Sequence, residues 1–239
     1  MLTISLATSI QTVAGQSASA VKLRLLKKLR CTMKYEKQAW AGGARIIAGV
    51  DEVGRGSLFG PVVAAAVILN PNDRIKGLRD SKLLPTERRE VLSERIRARA
   101  MAWSIAAVDA EVIDRINIYQ ASRLAMREAV LGLARVPDHL LVDAMRLELD
   151  LAQQAIIHGD ALSASIAAAS IVAKVARDRM MQELDAVYPQ YGLVSHKGYC
   201  TPQHLAALRE HGACPLHRQS FAPVWNAPEQ EEFAFLEEV

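Results

Sequence analysis

The chain has 239 residues, 51% of them hydrophobic, and a formal net charge of only +3. This length and composition support a sizeable core and exclude wholesale disorder. The small net charge excludes nucleic-acid binding through overall charge alone, so any such contact requires a local basic patch. Cys31, Cys200 and Cys214 are far apart and odd in number, which indicates a reducing compartment and argues against a structural zinc site. No apolar run approaches the roughly 18 residues of a membrane span, and we expect a cytoplasmic protein.

Residues 1–43 are expected to form a basic N-terminal helical extension. The positive charge of this region follows the apolar stretch 2–10, which is the reverse of a secretory signal. An organellar transit peptide and a true start at Met33 are the alternatives. An apolar stripe predicts a helix over residues 20–41 that packs on the main domain, and a basic arm touching nucleic acid is the competing interpretation. Gly42-Gly43 ends this pattern.

Residues 44–226 predict one α/β domain with a mixed central sheet flanked by helices, ending in a helical C-terminal region. Apolar runs predict strands at 46–52, 61–69, 103–108, 139–142 and 155–158. Helices are predicted at 85–102, 111–133 and 166–184, with a loop and a short helix over 196–211. Three early strands followed by alternating helices and strands are typical of a mixed sheet. Residues 227–239 are predicted to be a disordered acidic tail, although 230–236 faintly resembles a sliding-clamp-binding peptide.

Acidic residues follow several of the predicted strands. Asp51, Asp143 and Asp160 each come after an apolar run, and Glu52 is adjacent to the first. A lone aspartate after a strand is usually a turn residue or a helix cap, but sites gather at strand ends, so we expect these carboxylates to converge. Such a cluster repels itself unless cations fill it, and hard cations take oxygen ligands. The pattern predicts a site for Mg²⁺ or Mn²⁺, with two ions as the usual filling at phosphodiester-cleaving sites.

The adjacency of Asp51 and Glu52 poses a geometric problem. Neighbouring side chains of a strand point to opposite faces, so both cannot approach one ion from a regular strand. Either the strand twists out at Glu52, or Glu52 contributes through its carbonyl. Asp51 is therefore the firmer side-chain ligand.

Further polar residues suit a nucleic-acid groove. The loop Gly54-Arg55-Gly56 lets backbone N–H groups approach a ligand closely. Lys82 lies in a turn before a helix, where it can reach a phosphate. Ser170, Lys174 and Asp178 share one helix face, and the alternative for Lys174 is an ion pair with Asp178.

An aromatic residue lies in a second glycine-containing loop, His196-Lys197-Gly198-Tyr199. Tyr199 is a candidate to stack on a sugar or base, and a core tyrosine is the alternative. His158 and His217 are assigned no role.

Several separated motifs, in a fixed order, resemble those of ribonuclease HII. They are Ala48–Gly56, Asp80–Lys82, Asn117–Tyr119, Leu141–Ala144, Gly159-Asp160, Ser165–Lys174, His196–Tyr199 and Arg218–Phe221 with Pro223. The resemblance covers about residues 34–226. It implies a ribonuclease H-like fold and a monomeric endoribonuclease, active in ribonucleotide excision repair, that cleaves the RNA strand of RNA–DNA hybrids and cuts 5′ of single ribonucleotides in duplex DNA.

The resemblance also implies roles for individual residues. The catalytic metal ligands would be Asp51, Glu52, Asp143 and Asp160. Gly54-Arg55-Gly56 would read the 2′-hydroxyl at the RNA–DNA junction, which is the group that distinguishes RNA from DNA locally. Tyr199 would lie against the deoxyribose beside the junction. In-line attack of metal-activated water would leave 5′-phosphate and 3′-hydroxyl ends.

The chain departs from the family at three positions. Ser57 stands where proline is frequent, Leu83 where a second lysine is common, and Cys200 where proline or glycine is usual. None of these removes a proposed metal ligand, but with Leu83 we expect one basic contact fewer in the substrate groove.

Three other interpretations compete with this one. A dinucleotide-binding enzyme would need a helix after Gly54, Gly56 and Gly60, but the next predicted element is a strand. A binding module would grip hybrids without cutting them. A ribonuclease HIII would share the acids, but Gly54-Arg55-Gly56 and the absence of a large N-terminal domain favour ribonuclease HII.

Overall fold

The computed structural model describes residues 28–226. Its elements, in chain order, are α1 (Lys34–Ala41), β1 (Ile47–Val53), β2 (Val62–Ile68), α2 (Thr86–Arg99), β3 (Ala102–Val108), α3 (Ala110–Ile116), α4 (Ile118–Leu131), β4 (His139–Asp143), β5 (Ala152–Ile156), α5 (Gly159–Leu162), α6 (Ala164–Val187), α7 (Leu193–His196), α8 (Pro202–His211) and α9 (Ala222–Trp225). Single 3₁₀ turns lie at Ser81–Leu83 and Pro189–Tyr191. Within this described range, no helix is both long and apolar enough to cross a bilayer.

The five strands form one mixed sheet, as predicted. Their order is β3-β2-β1-β4-β5. β2 runs antiparallel to both β1 and β3, whereas β4 runs parallel to β1 and β5 parallel to β4. The carboxyl ends of β1, β4 and β5 therefore meet at one edge of the sheet.

Helices cover both faces of this sheet, which explains why the apolar runs of the central strands are continuous. Alternate residues of β1 and β2, such as Val50 and Ala64, pack against α4 residues that include Ala125 and Met126. The intervening residues of β2, such as Ala65, face α6. All seven residues of β2 are buried.

α6 lies unusually close to β1. A Cβ atom on Gly49 would lie 2.0 Å from the carbonyl carbon of Ser165, so only glycine allows this approach. Buried alanines on α6, among them Ala168 and Ala169, keep the rest of the interface thin. Asp51 follows Gly49 by two residues, so its side chain projects from the same face of β1.

The N-terminal helix is shorter than predicted. Residues 28–33 are not helical, and residues 20–27 lie outside the described part of the chain. The N–H of Thr32 donates to the carbonyl of Leu162, and the carbonyl of Thr32 accepts from Ala164. Because these backbone groups pair with the segment before α6, they are not available to a helix, and the prediction is wrong over residues 28–33.

α1 itself packs on the sheet. Its residues Tyr35, Ala39 and Trp40 contact a core cluster that contains Ile47 and Leu141. This agrees with the interpretation of the N-terminal helix as one packed on the main domain. The division between extension and domain at residue 43 stays a prediction, and the predicted tail, residues 227–239, lies outside the described residues.

Two other predicted elements have different bounds. The helix predicted over 111–133 is broken at Asn117, whose φ is 66° and whose side chain accepts from the N–H groups of Tyr119 and Gln120 to cap α4. The last strand is Ala152–Ile156 rather than 155–158. Its pairing with β4 ends at Ile156, and His158 adopts a left-handed conformation that starts α5.

Candidate functional site

The sheet register brings Asp51 and Asp143 side by side. Gly49 pairs with Leu141 and Val50 with Val142 in the parallel ladder, so Asp51 and Asp143 occupy the next position of the two strands. Asp51 is only 4% exposed. The expected meeting of these two carboxylates at a strand edge follows directly from this register.

Asp160 also lies near Asp51 and Asp143, but a helix rather than a strand positions it. It does not end a strand but lies in the short helix α5, which follows β5. The N–H of Gly159 donates to Asp143 Oδ1 at 2.7 Å, and this bond ties α5 to the end of β4. A Cβ atom on Gly159 would lie 2.5 Å from Ile166 Cδ1, so any larger residue would have to displace the Ile166 side chain.

The Glu52 carboxylate lies beside the loop Gly54-Arg55-Gly56. Its Oε1 lies 3.5 Å from Arg55 Nη1, and its side chain is 8% exposed. Its Oε2 is buried and has no hydrogen-bond partner. Asp51 Oδ1 accepts the Glu52 N–H at 2.8 Å. The carboxylates of Asp51 and Glu52 are therefore both largely buried near the end of β1, although the two residues are neighbours in a strand.

Burial and mutual repulsion raise the pKa values of Asp51, Glu52 and Asp143. Burial raises the pKa of Asp51 well above its usual range, and the charges of Glu52, Asp143 and Asp160 raise it further. Burial also raises the pKa of Glu52 to about 7, with Arg55 opposing the shift. The pKa of Asp143 rises because of burial and then the charge of Asp160. The four acids thus interact electrostatically as one unit, in which added positive charge is favoured.

Lys82 supplies positive charge to this unit. Its Nζ lies 3.1 Å from Asp160 Oδ2 and 3.9 Å from Asp80 Oδ1. Burial alone would lower the pKa of Lys82, but Asp160 and Asp80 outweigh it and raise the pKa above the ordinary lysine value. The sequence prediction placed Lys82 against a phosphate, whereas the structure places it against the acids.

Asp80 is a fifth acid that was not predicted as a site residue. It is 1% exposed, and its Oδ1 accepts the Lys82 N–H at 2.9 Å. Burial raises its pKa, and the charge of Asp160 contributes in the same direction. Its position in the motif Asp80–Lys82 was the available signal, but a turn aspartate that caps a helix is the more frequent role.

The donor chemistry of the acid cluster fits a divalent cation. Carboxylate oxygens are the ligands that hard cations take, and the buried Glu52 Oε2 lacks any partner. Across residues 28–226, however, no three acidic, histidine or cysteine side chains are arranged to hold an ion. The acids are therefore close together, but their oxygens do not surround a common point as ion ligands would. The Lys82 ammonium supplies part of the positive charge that balances them.

The glycine loop and the Tyr199 loop lie against each other. Ser57 and Tyr199 form an antiparallel bridge, and the Leu58 N–H donates to the Gly198 carbonyl at 2.8 Å. The Arg55 side chain is exposed, and a Cβ atom on Gly56 would meet nothing within 4 Å. The exposed Arg55 and Gly56 thus lie near the partly buried Tyr199, whereas Gly54 is buried.

Arg177 joins these two loops and was missed by the sequence prediction. Its Nη1 donates to the Lys197 carbonyl at 2.9 Å, and its Nη2 donates to Ser57 Oγ at 2.8 Å. The guanidinium carbon lies 5.5 Å from the centre of the Tyr199 ring. A Cβ atom on Gly54 would lie 2.3 Å from Arg177 Nε. An arginine in an alanine-rich helix, three residues after Lys174, was the available signal.

A second buried arginine holds the same loop from its other side. Arg218 Nη1 donates to the Arg55 carbonyl at 2.9 Å, and its Nε donates to the Gly60 carbonyl at 3.0 Å. The sequence identifies Arg218 only as part of the motif Arg218–Phe221, without a role of its own. Together with Arg177 it fixes the backbone of the glycine loop.

Ser170 and Lys174 lie on the α6 face that meets the Asp80–Lys82 turn. Ser170 Oγ is 2.9 Å from Ser81 Oγ. Lys174 Nζ is 2.5 Å from Asp178 Oδ1, so the ion pair that competed with a phosphate role is present. Arg89 lies 3.5 Å from the other oxygen of Asp178.

Comparisons with known proteins agree with one another. The Ribonuclease HII family model matches residues 48–224. A ribonuclease HII of Koribacter versatilis (strain Ellin345) is 68% identical over 216 residues, covering 90% of this chain and 85% of the relative.

Two solved structures are similar in fold and sequence. The ribonuclease H2 from Pyrococcus horikoshii OT3 superimposes with a TM-score of 0.66 at 25% identity, covering 76% of this chain and 96% of that one. The PCNA:RNase HII complex from Archaeoglobus fulgidus gives a TM-score of 0.59 at 27% identity, covering 72% and 91%.

Proposed function

Because this chain belongs to the ribonuclease HII family, we propose that it cuts duplex DNA on the 5′ side of a single embedded ribonucleotide. The family consists of metal-dependent endonucleases of the ribonuclease H type, and membership supports ribonuclease H activity on RNA–DNA hybrids. The sheet and its flanking helices are the ribonuclease H-like fold. The proposal goes further by naming the junction as the preferred target.

One observation carries the proposal. Gly54-Arg55-Gly56 leads directly out of β1, the strand that bears Asp51 and Glu52, and lies beside the Tyr199 loop. A backbone that reads a 2′-hydroxyl and a ring that packs on a sugar would thus lie next to the acid cluster. In this arrangement, the sugar that is recognised and the phosphate that is cut belong to adjacent positions of one strand.

The proposed metal ligands are Asp51, Glu52, Asp143 and Asp160. Their oxygen chemistry, burial and mutual repulsion support this role, as does the unpartnered Glu52 Oε2. When bound, two divalent ions supply activation of the attacking water and stabilisation of charge on the departing oxygen. Attack of water on phosphorus would break the P–O3′ bond, leaving a 3′-hydroxyl on the preceding deoxyribonucleotide and a 5′-phosphate on the ribonucleotide.

The proposed substrate contacts surround these acids. Gly54, Arg55 and Gly56 would bind the 2′-hydroxyl side of the junction, and Tyr199 would pack on the neighbouring deoxyribose. Lys82, Ser170 and Lys174 would contact phosphates, for which their location on the Asp80–Lys82 turn and the facing side of α6 is the support. In this role Lys82 exchanges its bond to Asp160 for a phosphate once divalent ions neutralise the acids.

A sliding clamp is a second candidate partner. The similar ribonuclease HII from Archaeoglobus fulgidus was solved in complex with PCNA. The segment 230–236 of this chain, which resembles a clamp-binding peptide, lies outside the described residues.

The proposal is tested with a labelled DNA duplex that contains one ribonucleotide, in the presence of Mg²⁺ or Mn²⁺. We expect a single cut on the 5′ side of the ribonucleotide and none in an all-DNA duplex. Asp160→Asn should lower the rate by at least roughly a hundredfold, since charge stabilisation worth several kcal/mol is lost. Asp150→Asn, an exposed aspartate in the loop after β4, is the matched control and should retain activity.

Two results would contradict the proposal. Cleavage of long hybrids only would keep the nuclease and remove the junction role of Gly54-Arg55-Gly56. Binding of both substrates without any cleavage, with either metal, would favour a protein that grips hybrids without cutting them.

A further inference from the structure

Three buried histidines form a connected cluster behind the Tyr199 loop, separate from the acid cluster. His204 and His217 are fully buried, and His196 is nearly so. The rings of His196 and His204 stack with centroids 4.5 Å apart. The Nε2 atoms of His204 and His217 lie 3.2 Å apart.

The partners of this cluster leave only one arrangement of its protons. A backbone amide can only donate, so the Cys214 N–H, 3.0 Å from His217 Nδ1, makes that nitrogen an acceptor. A carbonyl can only accept, so His204 Nδ1, 3.1 Å from the Tyr199 carbonyl, carries a hydrogen. A neutral imidazole has one donor and one acceptor. His217 Nε2–H therefore donates to His204 Nε2.

His196 obeys the same logic on the neighbouring turn. The Gly198 N–H donates to His196 Nδ1 at 3.2 Å, so the hydrogen of this ring is on Nε2. That nitrogen lies 2.8 Å from the Tyr191 carbonyl, which accepts it. All three rings thus satisfy both nitrogens while neutral.

Burial supports the neutral forms. It lowers the pKa of His204 to about 4, with the neighbouring His196 acting in the same direction. It lowers the pKa of His217 to about 3, and His204 contributes. An added proton on His204 would set donor against donor between the two Nε2 atoms, and an added proton on His217 would set its Nδ1 against the Cys214 N–H.

We propose that His204 is a positioning residue for Tyr199 and that His217 fixes the tautomer His204 needs. The chain of bonds runs from the Cys214 N–H through His217 and His204 to the Tyr199 carbonyl. Arg177 packs on the ring of Tyr199, and Ser57 forms a β-bridge with the Tyr199 backbone. The bond from His204 Nδ1 acts at a different atom, the carbonyl oxygen of Tyr199. The inference rests on the proposed role of Tyr199 beside the junction.

The tautomers are tested directly on the full chain with ¹⁵N-labelled histidine, by two-bond ¹H–¹⁵N correlation spectra near pH 7. We expect hydrogen on Nδ1 of His204 and on Nε2 of His217 and His196. The assignment fails if His204 carries its hydrogen on Nε2 or is an imidazolium at that pH. This readout does not depend on any cleavage activity.

The positioning role is tested with two substitutions that each keep half of the ring's polar pattern. His204→Gln keeps a polar group near Nε2 but loses the bond to Tyr199, whereas His204→Asn keeps a donor near Nδ1. His204→Gln should raise KM for the single-ribonucleotide duplex roughly three- to tenfold, as one buried hydrogen bond is lost, and leave kcat nearly unchanged. His204→Asn should raise KM much less than His204→Gln does. His211→Gln, on the same helix α8, is the control and should match the parent protein.

A double substitution separates positioning from general damage. In a Tyr199→Ala background, His204→Gln should raise KM no further, because its effect runs through Tyr199. A full additional rise in KM would overturn the proposal. If the unsubstituted protein does not cut at single ribonucleotides, the proposed function fails instead, and the tautomer measurement still decides the arrangement of the cluster.

Discussion

Buried carboxylates dominate the chemistry at the scale of single residues. Asp51 and Glu52 lie where burial disfavours their charged forms, and Asp143 and Asp160 add repulsion. Proteins rarely keep such a group of acids without a cation to offset the cost. The Lys82 ammonium, 3.1 Å from Asp160 Oδ2, supplies part of this positive charge.

The raised pKa of Glu52 has a consequence for stability. Between its ordinary value of 4.5 and about 7, the folded state holds a proton that the unfolded state has released. The free energy of unfolding therefore falls as the pH rises through this window. Glu52→Gln removes this titration.

We expect the metal-free parent protein to lose stability relative to Glu52→Gln between about pH 4.5 and pH 7, as measured by urea unfolding in the presence of a chelator. Saturating Mg²⁺ should shrink this loss, since bound cation replaces the proton. A stability difference between the two proteins that is independent of pH would show that Glu52 titrates normally.

At the scale of elements, the site depends on how closely α6 approaches β1. Gly49 permits the contact with Ser165, and the start of α6 follows α5, which carries Asp160. The same helix delivers Ser170, Lys174 and Arg177 along its length. One helix therefore sets the distance between the acids and the proposed substrate contacts.

Gly49→Ala should lower the free energy of unfolding by about 1–3 kcal/mol, because the new methyl group meets backbone that cannot move aside. Gly56→Ala is the matched control. Its Cβ atom would meet nothing within 4 Å, so its stability should change by less than about 1 kcal/mol. Equal urea midpoints for the two variants would contradict the packing described.

Local sequence patterns predicted most elements because each carries its own signal. The continuous apolar run of β2 and the aspartates late in β1 and at the end of β4 are examples. The edge strand β5 was misplaced, since Ala152 and Gln154 are exposed and leave no apolar pattern. Arg177 was missed for a different reason. Its partners Ser57 and Lys197 lie far away in sequence, and only the fold brings them together.

In the molecule as a whole, helix α1 is hydrogen-bonded to the start of α6, close to the acid cluster. Glu36 on α1 is fully buried, and its Oε1 accepts from Ser163 Oγ at 2.7 Å and from the Ser165 N–H at 2.8 Å. Both donors lie at the first turn of α6, where a negative charge is favoured. Residues before the predicted domain thus hold the segment that joins α5 to α6.

Glu36→Ala should destabilise the chain by about 1–3 kcal/mol, since two buried donors lose their acceptor. Glu111→Ala, an exposed glutamate in the first turn of α3, is the control and should change the free energy of unfolding by less than about 0.5 kcal/mol. Thermal unfolding of both variants checks this. No destabilisation by Glu36→Ala would indicate that α1 is not anchored to α6.

We infer that Asp51, Glu52, Asp143 and Asp160 bind the divalent ions that make this chain a nuclease. Titration of Mn²⁺ into the full chain by calorimetry, with Asp143→Asn and Asp150→Asn beside it, measures this binding. We expect Mn²⁺ to bind with release of protons, and Asp143→Asn to weaken the affinity by at least about tenfold while Asp150→Asn leaves it unchanged. Equal affinity of all three proteins for Mn²⁺ would contradict the assignment of the metal site.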